Sequence, residues 1–337
     1  MFMSTTFRKT ALTLSSAALT AVLLASPASA STNVAPRVAT WLTQQTTQGA
    51  FLSGSKVSVS ETAGFALAVS AFSNAKPNGR SAMRVLWQQA ATLRTSLGAQ
   101  DPGGLALWIL AAHAYGVNPR HFNKVDLVAA LQSTLQGPSS SAPGRFGSED
   151  STYDGSFRQG LSMAALKAAG VAVPKSAVAW LKKQGCSNGA YSSDATANPC
   201  SGSPADYAGP DLNSTALAVL GLKAAGSAIG ATTLSYLKNQ QQVDGGWGFY
   251  PGNASDPSST GLVLTALQSL AMVPPKSAGN FAKGISSIAH FQVSSGGLAY
   301  PGNPSADVLS STQGLQGLTG HPIWSTNDAA GARQISR

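Results

Sequence analysis

The feature that most constrains the fold is an internal repeat that runs along most of the chain. Short segments ending near glutamine recur, and the later copies start roughly every 50 residues, a spacing typical of repeat architectures. The copies are residues 41–45 (WLTQQ), 128–132 (VAALQ), 180–184 (WLKKQ), 236–240 (YLKNQ) and 288–292 (IAHFQ). The long gap between the first two copies holds residues 93–97 (LRTSL), which we count as the copy of a sixth unit.

Each unit follows the same order of elements. An amphipathic helix leads into a glycine-aromatic loop, and a second, more apolar helix follows. The loops include residues 49–51, 144–147, 189–191, 245–249 and 296–300, and the run YPGN at 250–253 recurs at 300–303. The second helices are apolar nearly all round and are expected to be buried on both sides, whereas the first helices keep a polar face.

Six such pairs predict an all-α protein whose helices form two concentric layers. A closed ring covers every apolar face, whereas an open solenoid would leave its two ends bare. We therefore predict an (α/α)6 toroid of six outer/inner helical hairpins over residues 31–320, with little strand. The polar, Gly/Ala-containing segment 321–337 is predicted to be a loosely ordered tail.

The first 30 residues have the pattern of a secretion signal. Arg8 and Lys9 precede an apolar stretch at 11–24, and the small residues Ala28, Ser29 and Ala30 form a cleavage site. No later run approaches the roughly 18 apolar residues of a membrane span, so no transmembrane segment is predicted. We expect a secreted, extracellular protein, and we expect it to be a monomer. In that oxidising compartment Cys186 and Cys200 are predicted to form a disulfide.

Composition narrows the function classes. The chain is 43% hydrophobic and only 10% charged, which is typical of a globular protein whose polar surface consists mainly of uncharged side chains. The formal net charge is +9, but the basic residues are scattered, with no basic run interleaved with aromatic residues. No nucleic-acid partner is therefore predicted.

The strongest copy carries a family resemblance. Residues 236–248 (YLKNQQQVDGGWG) look like the QW repeat of squalene-hopene cyclases and the related repeats of prenyltransferase β-subunits. The resemblance implies the α/α-toroid superfamily over residues from about 35 to 320. Physical chemistry assigns this motif a structural role, because Gln240 at the helix end can bond exposed backbone groups while the glycines permit the turn and the ring stacks nearby.

The catalytic motifs of these families are not retained. The Asp-x-Asp-Asp-Thr-Ala motif of class II terpene cyclases matches residues 211–216 (DLNSTA), where Asn213 and Ser214 replace the two later acids. Neither cysteine has the Asp-x-Cys context of the prenyltransferase zinc site, and the histidines have no ligand spacing. We therefore predict no catalytic residue from these families, no metal and no cofactor.

An acidic residue precedes every proposed inner helix, although the chain has only 13 Asp and Glu residues. One interpretation is helix capping, because a carboxylate accepts the unpaired N–H groups at a helix start. The other is a ligand site, because all six inner N-termini emerge on one face of a toroid and aromatic residues follow nearby. The candidate mouth comprises Glu61, Asp101, Asp154, Asp211, Asn213, Asp256, Asp307, Trp247, Phe249, Tyr250 and Tyr300.

These observations support two hypotheses. The first is a secreted protein that binds a small apolar or amphipathic ligand at the mouth without the chemistry of the related families; the isoprenoid, corrinoid and glycan classes all remain open. The alternative is a divergent terpenoid cyclase, prenyltransferase-like or carbohydrate-active enzyme that uses the carboxylates at the inner-helix N-termini.

Overall fold

The computed structural model describes residues 33–97, 101–148, 154–194, 198–201, 209–270, 280–325 and 329–336. The predicted signal segment lies outside these residues. Six helices form an inner ring: α2 (Val59–Val69), α5 (Pro102–Ala114), α7 (Ser156–Ala168), α9 (Leu212–Ala224), α11 (Pro257–Ser269) and α13 (Val308–Gly317). Each inner helix contacts the next one along the chain, and α13 returns to contact α2.

A second layer surrounds this ring. It consists of α1 (Val34–Gln44), α3 (Lys76–Gln88), α6 (Leu127–Gln132), α8 (Lys175–Lys183), α10 (Ala231–Asn239) and α12 (Asn280–His290). Each outer helix from α3 onward contacts the inner helix of the preceding hairpin, and α1 contacts α13. The predicted (α/α)6 toroid is confirmed, and so is the predicted division between apolar inner helices and amphipathic outer ones.

Five glycine-containing loops, which we call the brace loops, join the two layers. Their central glycines all have positive φ: Gly49, Gly144, Gly189, Gly245 and Gly296. Each packs against the outer helix of the following hairpin, and a Cβ atom added to Gly245 would lie 2.4 Å from the Cβ of Lys283. The last loop closes the ring, because Gly296 packs against Arg37 of α1 and the Nε2 of Gln292 donates to the Val34 carbonyl at 3.1 Å.

Buried polar side chains of the inner helices bind the brace loops. The backbone N–H of Tyr191 donates to the Oγ1 of Thr215 at 2.9 Å, and the N–H of Trp247 donates to the Oγ1 of Thr260 at 2.9 Å. Thr62, Gln159 and Ser311 accept the equivalent bonds in the other three loops. Four hydroxyl residues and one glutamine, each on an inner helix, therefore hold the five brace loops to the inner ring.

For the repeat glutamine, the strongest copy differs from the prediction in both the residue and its partner, which is a loop carbonyl and not a group at the helix end. The Nε2 of Gln241, not that of Gln240, donates to the Gly245 carbonyl at 2.7 Å. In the last copy the Nε2 of Gln292 makes the same bond to Gly296 at 2.8 Å. The motif thus closes its own loop through a side-chain amide.

Two short antiparallel strand pairs complete the loops. Strands β1 (Leu52–Ser53) and β2 (Lys56–Val57) form the first pair, and β3 (Tyr191–Ser192) and β4 (Pro210–Asp211) form the second. The predicted disulfide is present, and it joins Cys186 to Cys200 with a Cα–Cα distance of 5.6 Å. Within the described part of the chain, no helix has the length and apolarity that crossing a bilayer requires.

Two features differ from the sequence prediction. The outer helix of the second hairpin is α3, and residues 93–97 lie at the end of a short extra helix, α4 (Ala90–Ser96). The segment predicted to be loose contains α14 (Ala329–Ile335), which packs against α3. Ile335 is fully buried there, and Arg84 donates to the Gln334 carbonyl at 2.8 Å, so apolar contact and a hydrogen bond hold this part of the chain.

Candidate functional site

The inner ring encloses a cavity on the toroid axis, which we call the axial cavity. Its volume is about 180 Å³, and every inner helix contributes to its wall. The apolar lining side chains are Leu107, Phe157, Leu161, Leu217, Leu220, Leu262, Val308, Leu309 and Ile323. The inner helices are apolar nearly all round. Some of their leucines therefore face the toroid axis, while others face the outer layer.

The two ends of the axial cavity differ. Residues from the first turns of α2 and α13 form an open rim, where Glu61 is exposed and Leu309 is 62% exposed. At the other end Ile323, which follows α13, is only 9% exposed. The Nε2 of His113 lies 2.9 Å from the Trp324 carbonyl and donates to it, which holds this segment against α5. The cavity therefore opens on the face of the inner-helix N-termini.

Glu61 is the one titratable side chain among the described residues that line the axial cavity. The polar lining side chains near it, Ser60 and Gln313, are uncharged. Such a site offers extensive apolar contact and one negative charge at its entrance. This is the usual composition of a small-molecule pocket, in which a few polar groups orient a mainly apolar ligand.

Four of the six predicted acids cap inner helices. A side-chain oxygen accepts the N–H group three residues later at 3.0 Å for Asp101, 2.7 Å for Asp211, 2.8 Å for Asp256 and 2.7 Å for Asp307. Asp154 is also buried but does not cap its helix. Its oxygens accept from the Ser148 N–H at 3.0 Å and from Arg158 at 2.8 Å. Helix capping thus accounts for most of the acidic pattern.

Asp211 combines full burial with a perturbed pKa. Burial raises the pKa of its carboxyl group to about 7, and hydrogen bonding to Ser214 opposes part of the rise. Its Oδ1 accepts the Ser214 N–H, whereas Oδ2 has no partner with hydrogen-bond geometry among the described residues. Burial also raises the pKa of Asp256. These shifts arise at helix caps away from the axial cavity.

The residues that match the cyclase motif do not reach the axial cavity. The wall contributed by α9 consists of Leu217 and Leu220, and neither Asp211 nor Asn213 belongs to the lining. Asn213 is partly buried, and its Oδ1 has no hydrogen-bond partner in the described structure. The residues that match the motif therefore stand at the start of α9, outside the lining of the axial cavity.

The predicted aromatic residues are mostly part of the packed layers. Trp247 is 1% exposed, and its Nε1 donates to the Leu237 carbonyl of α10 at 2.7 Å. Tyr250 is buried, and its ring meets that of Phe249 edge-on at 4.5 Å. Tyr300 is 47% exposed. Of the eleven residues predicted at the mouth, Glu61 is the one that lines the axial cavity.

Apart from Glu61, the residues that line the cavity were not predicted from the sequence; the commonest are leucines, together with Phe157, Ile323 and a few uncharged polar side chains. A leucine that faces the axis gives the same sequence signal as one between the layers, so only the spacing along each inner helix could have singled these out. In the described part of the chain, no group of three His, Cys, Asp or Glu side chains is arranged to hold a metal ion.

Comparison with solved structures identifies similar toroids. Type II terpene cyclase MstE from Scytonema, in complex with geranylgeranyl dihydroxybenzoate, is 14% identical with a TM-score of 0.60, and the match covers 87% of this chain and 98% of that one. A protein from Actinoplanes is 15% identical with a TM-score of 0.59, covering 88% and 99% of the two chains.

Candida albicans protein geranylgeranyltransferase-I, complexed with GGPP, is 10% identical with a TM-score of 0.55, covering 83% and 92%. No protein-family model and no curated protein matches the sequence. At these identities the likeness concerns the backbone. The chain therefore has the α/α-toroid fold found in type II terpene cyclases and protein prenyltransferases.

Proposed function

We propose that this protein binds a small apolar or amphipathic molecule in the axial cavity, with the apolar part inside and any polar group at the rim. The observation that carries the proposal is the lining itself. All six inner helices contribute, the exposed surface of the wall is mainly apolar, and the cavity opens beside Glu61. Burying a ligand's apolar surface in such a wall stabilises the complex by about 25 cal/mol per Å².

The cavity volume limits the size of the ligand. An engineered apolar cavity of roughly 150 Å³ admits benzene, and the axial cavity measures about 180 Å³. It therefore suits a short hydrocarbon unit, such as one or two isoprene units or a short alkyl chain. A corrinoid macrocycle exceeds this volume, and a glycan would find too few hydrogen-bonding groups, so the isoprenoid-like class is favoured.

The similar proteins support this choice of class. MstE and the Candida geranylgeranyltransferase are both seen with geranylgeranyl-containing molecules. Among the described residues that line the axial cavity, none matches the position of the cyclase acid, because Asn213 replaces that acid and lies outside the lining. Binding without protonation of an alkene is therefore the function that we propose.

The test is to block the axial cavity from within. Gly64 lines the cavity, and a Cβ atom added there would meet only Thr312, at 3.7 Å. Leucine at this position fills the space near the rim and favours the helix. We expect Gly64→Leu to abolish binding of octan-1-ol in titration calorimetry while Tm is retained. The control is Gly137→Leu, at an exposed loop glycine with no atom near the added Cβ; equal binding by both variants would reject this site.

For the alternative that the protein is an enzyme, the described lining of the axial cavity offers one carboxylate that could act on a ligand. Glycosidases need two carboxyl groups about 5–10 Å apart, and the described lining of the axial cavity contains one, Glu61. If Glu61 acts chemically on a ligand, Glu61→Gln will lower turnover by orders of magnitude and leave the Kd similar. If the protein only binds, native mass spectrometry will recover the same unaltered ligand from both forms.

We also propose that the protein is exported and acts as a monomer. The segment 1–30 has the pattern of a signal, and the Cys186–Cys200 bridge fits an oxidising compartment. N-terminal sequencing of the protein recovered from culture medium should start at Ser31. Light scattering of that sample should give the mass of one chain.

A further inference from the structure

The floor of the axial cavity is formed partly by a residue outside the inner helices. Ile323 lines the axial cavity, and it also lines a second, much smaller cavity of about 10 Å³ directly beyond it. Thr265 and Gln316 belong to both linings as well. These three side chains therefore form a thin partition, of which Ile323 is the apolar member.

The small cavity beyond the partition holds both apolar and polar groups. The wall on the rim side is mainly apolar, and the small cavity is lined by Leu67 together with Ser70, Thr319 and His321. Those polar groups belong to a bonded network: the Oγ1 of Thr319 lies 3.1 Å from the Oε1 of Gln268, and Gln268 donates to the Gly317 carbonyl at 2.8 Å. An alkyl chain entering from the rim would meet apolar contacts as far as Ile323 and, beyond it, the side chain of Leu67 beside polar groups that already bond one another.

Ile323 is held in place by its own segment. The next residue, Trp324, accepts the hydrogen bond from His113 through its carbonyl at 2.9 Å. Ile323 itself is 9% exposed and belongs to the main apolar core. The depth of the cavity is thus set by the polypeptide that crosses the C-terminal ends of the inner helices.

We propose that Ile323 sets the maximum length of the alkyl chain that the axial cavity accepts. This inference rests on the proposed binding function. Replacing isoleucine by alanine removes three carbon atoms from the partition and joins the small cavity to the large one. The longest chain that still gains affinity should therefore grow by about two or three methylene groups, each strengthening binding about fourfold.

The experiment is a titration calorimetry series with straight-chain primary alcohols from butan-1-ol to dodecan-1-ol. For the wild-type protein the Kd should fall about fourfold per methylene and then level off where the chain reaches Ile323. Ile323→Ala should move that levelling point two or three carbons further. The matched control is Ile335→Ala, a buried isoleucine of α14 outside both cavities, which should keep the wild-type levelling point.

The possible outcomes separate the two ideas. If no alcohol binds to the wild-type protein, the proposed function fails and this inference with it. If the alcohols bind but Ile323→Ala levels off at the same length as wild type, the binding function stands and the role of Ile323 is refuted. If Ile323→Ala does not fold, Ile323→Val is used instead, and a shift of about one methylene is then the supporting result and no shift the refuting one.

Discussion

The brace loops and the axial cavity use glycine in opposite ways. Gly245 in the strongest brace loop has a φ of +89°, and an added Cβ would lie 2.4 Å from Lys283. Gly64, in the wall of the axial cavity, is helical, and an added Cβ would meet Thr312 at an ordinary 3.7 Å. The loop thus leaves no volume for a side chain, whereas the cavity wall does.

This difference shows what the repeat motif encodes. The motif residues lie where the two helical layers join, and close packing there excludes other side chains. The ligand cavity lies where packing is incomplete, and it is lined by residues that no motif marks. A resemblance carried by the motif therefore predicts the toroid well and its ligand poorly. The following experiments test this division between structural loops and a tolerant cavity.

The largest effect is expected for Trp247→Ala in the strongest brace loop. The ring is 1% exposed and donates to Leu237, so the variant leaves a large cavity between the layers. We expect the free energy of unfolding to fall by about 3–5 kcal/mol, measured by urea denaturation. The control is Tyr300→Ala, at a residue 47% exposed, with an expected change within about 0.5 kcal/mol. A small effect of Trp247→Ala would contradict the conclusion that the motif stabilises the packing of the two helical layers.

A somewhat smaller effect, visible as pH dependence, is expected at Asp211. Its pKa is raised from 3.8 to about 7 in the folded protein, so the folded state keeps a proton that the unfolded chain loses near pH 4. Stability should therefore fall as pH rises from about 4 to about 7 and stay level above that range, a change of a few kcal/mol at about 1.4 kcal/mol per pKa unit.

Asp211→Asn removes this titration and keeps a good capping side chain. The variant should lose that component of the pH dependence, and it should be more stable than the wild-type protein at pH 8. Unfolding curves at a series of pH values measure both. Octan-1-ol binding should be unchanged, because Asp211 lies outside the cavity lining. A loss of binding would place this residue in the ligand site and break the division drawn above.

The smallest expected effect is a difference in Tm between two alanine variants at a matched pair of loop glycines. Gly245 and Gly252 both have positive φ, at +89° and +81°, but no atom lies within 4 Å of a Cβ added to Gly252. Alanine at either position costs about 1–3 kcal/mol in backbone strain. Only Gly245→Ala should destabilise the protein further, because its Cβ contacts Lys283. The difference between the two Tm values therefore measures how closely the brace loop packs against the next outer helix. Equal Tm values would show that the loop moves to accommodate the added Cβ and is not closely packed against Lys283.

The toroid and its two layers were predicted because repeat spacing and helical periodicity can be read directly from the sequence. The disulfide was predicted because two cysteines follow a secretion signal. Sequence reasoning placed the second outer helix at residues 93–97 instead of at α3, because the residues Lys76–Gln88 are not followed by a glycine-aromatic loop of the usual form. A loose tail was expected because the segment 321–337 is polar and contains Gly and Ala, whereas the burial of Ile335 depends on contacts distant in sequence.

Of the residues that the sequence placed at the mouth, Glu61 is the one that lines the axial cavity. Acids at helix starts have the same pattern whether they cap or bind, and four of the six cap. Trp247 was expected at the mouth because aromatic residues after glycines mark loops, but the direction of a loop side chain is set by tertiary packing. No sequence pattern indicated that Ile323 lines the cavity, because its position depends on the path of the chain across the far end of the cavity.

The closure of the ring has a consequence for how the chain folds. The bonds that join the last brace loop to α1, from Arg37 to Ser294 and from Gln292 to Val34, connect residues 257 and 258 positions apart. Contacts between neighbouring hairpins can form as the chain lengthens, but this seam must wait for the sixth hairpin. Since distant contacts slow folding, sealing the seam should be the late step, and a chain that stops before α12 would keep one flank of the first hairpin uncovered.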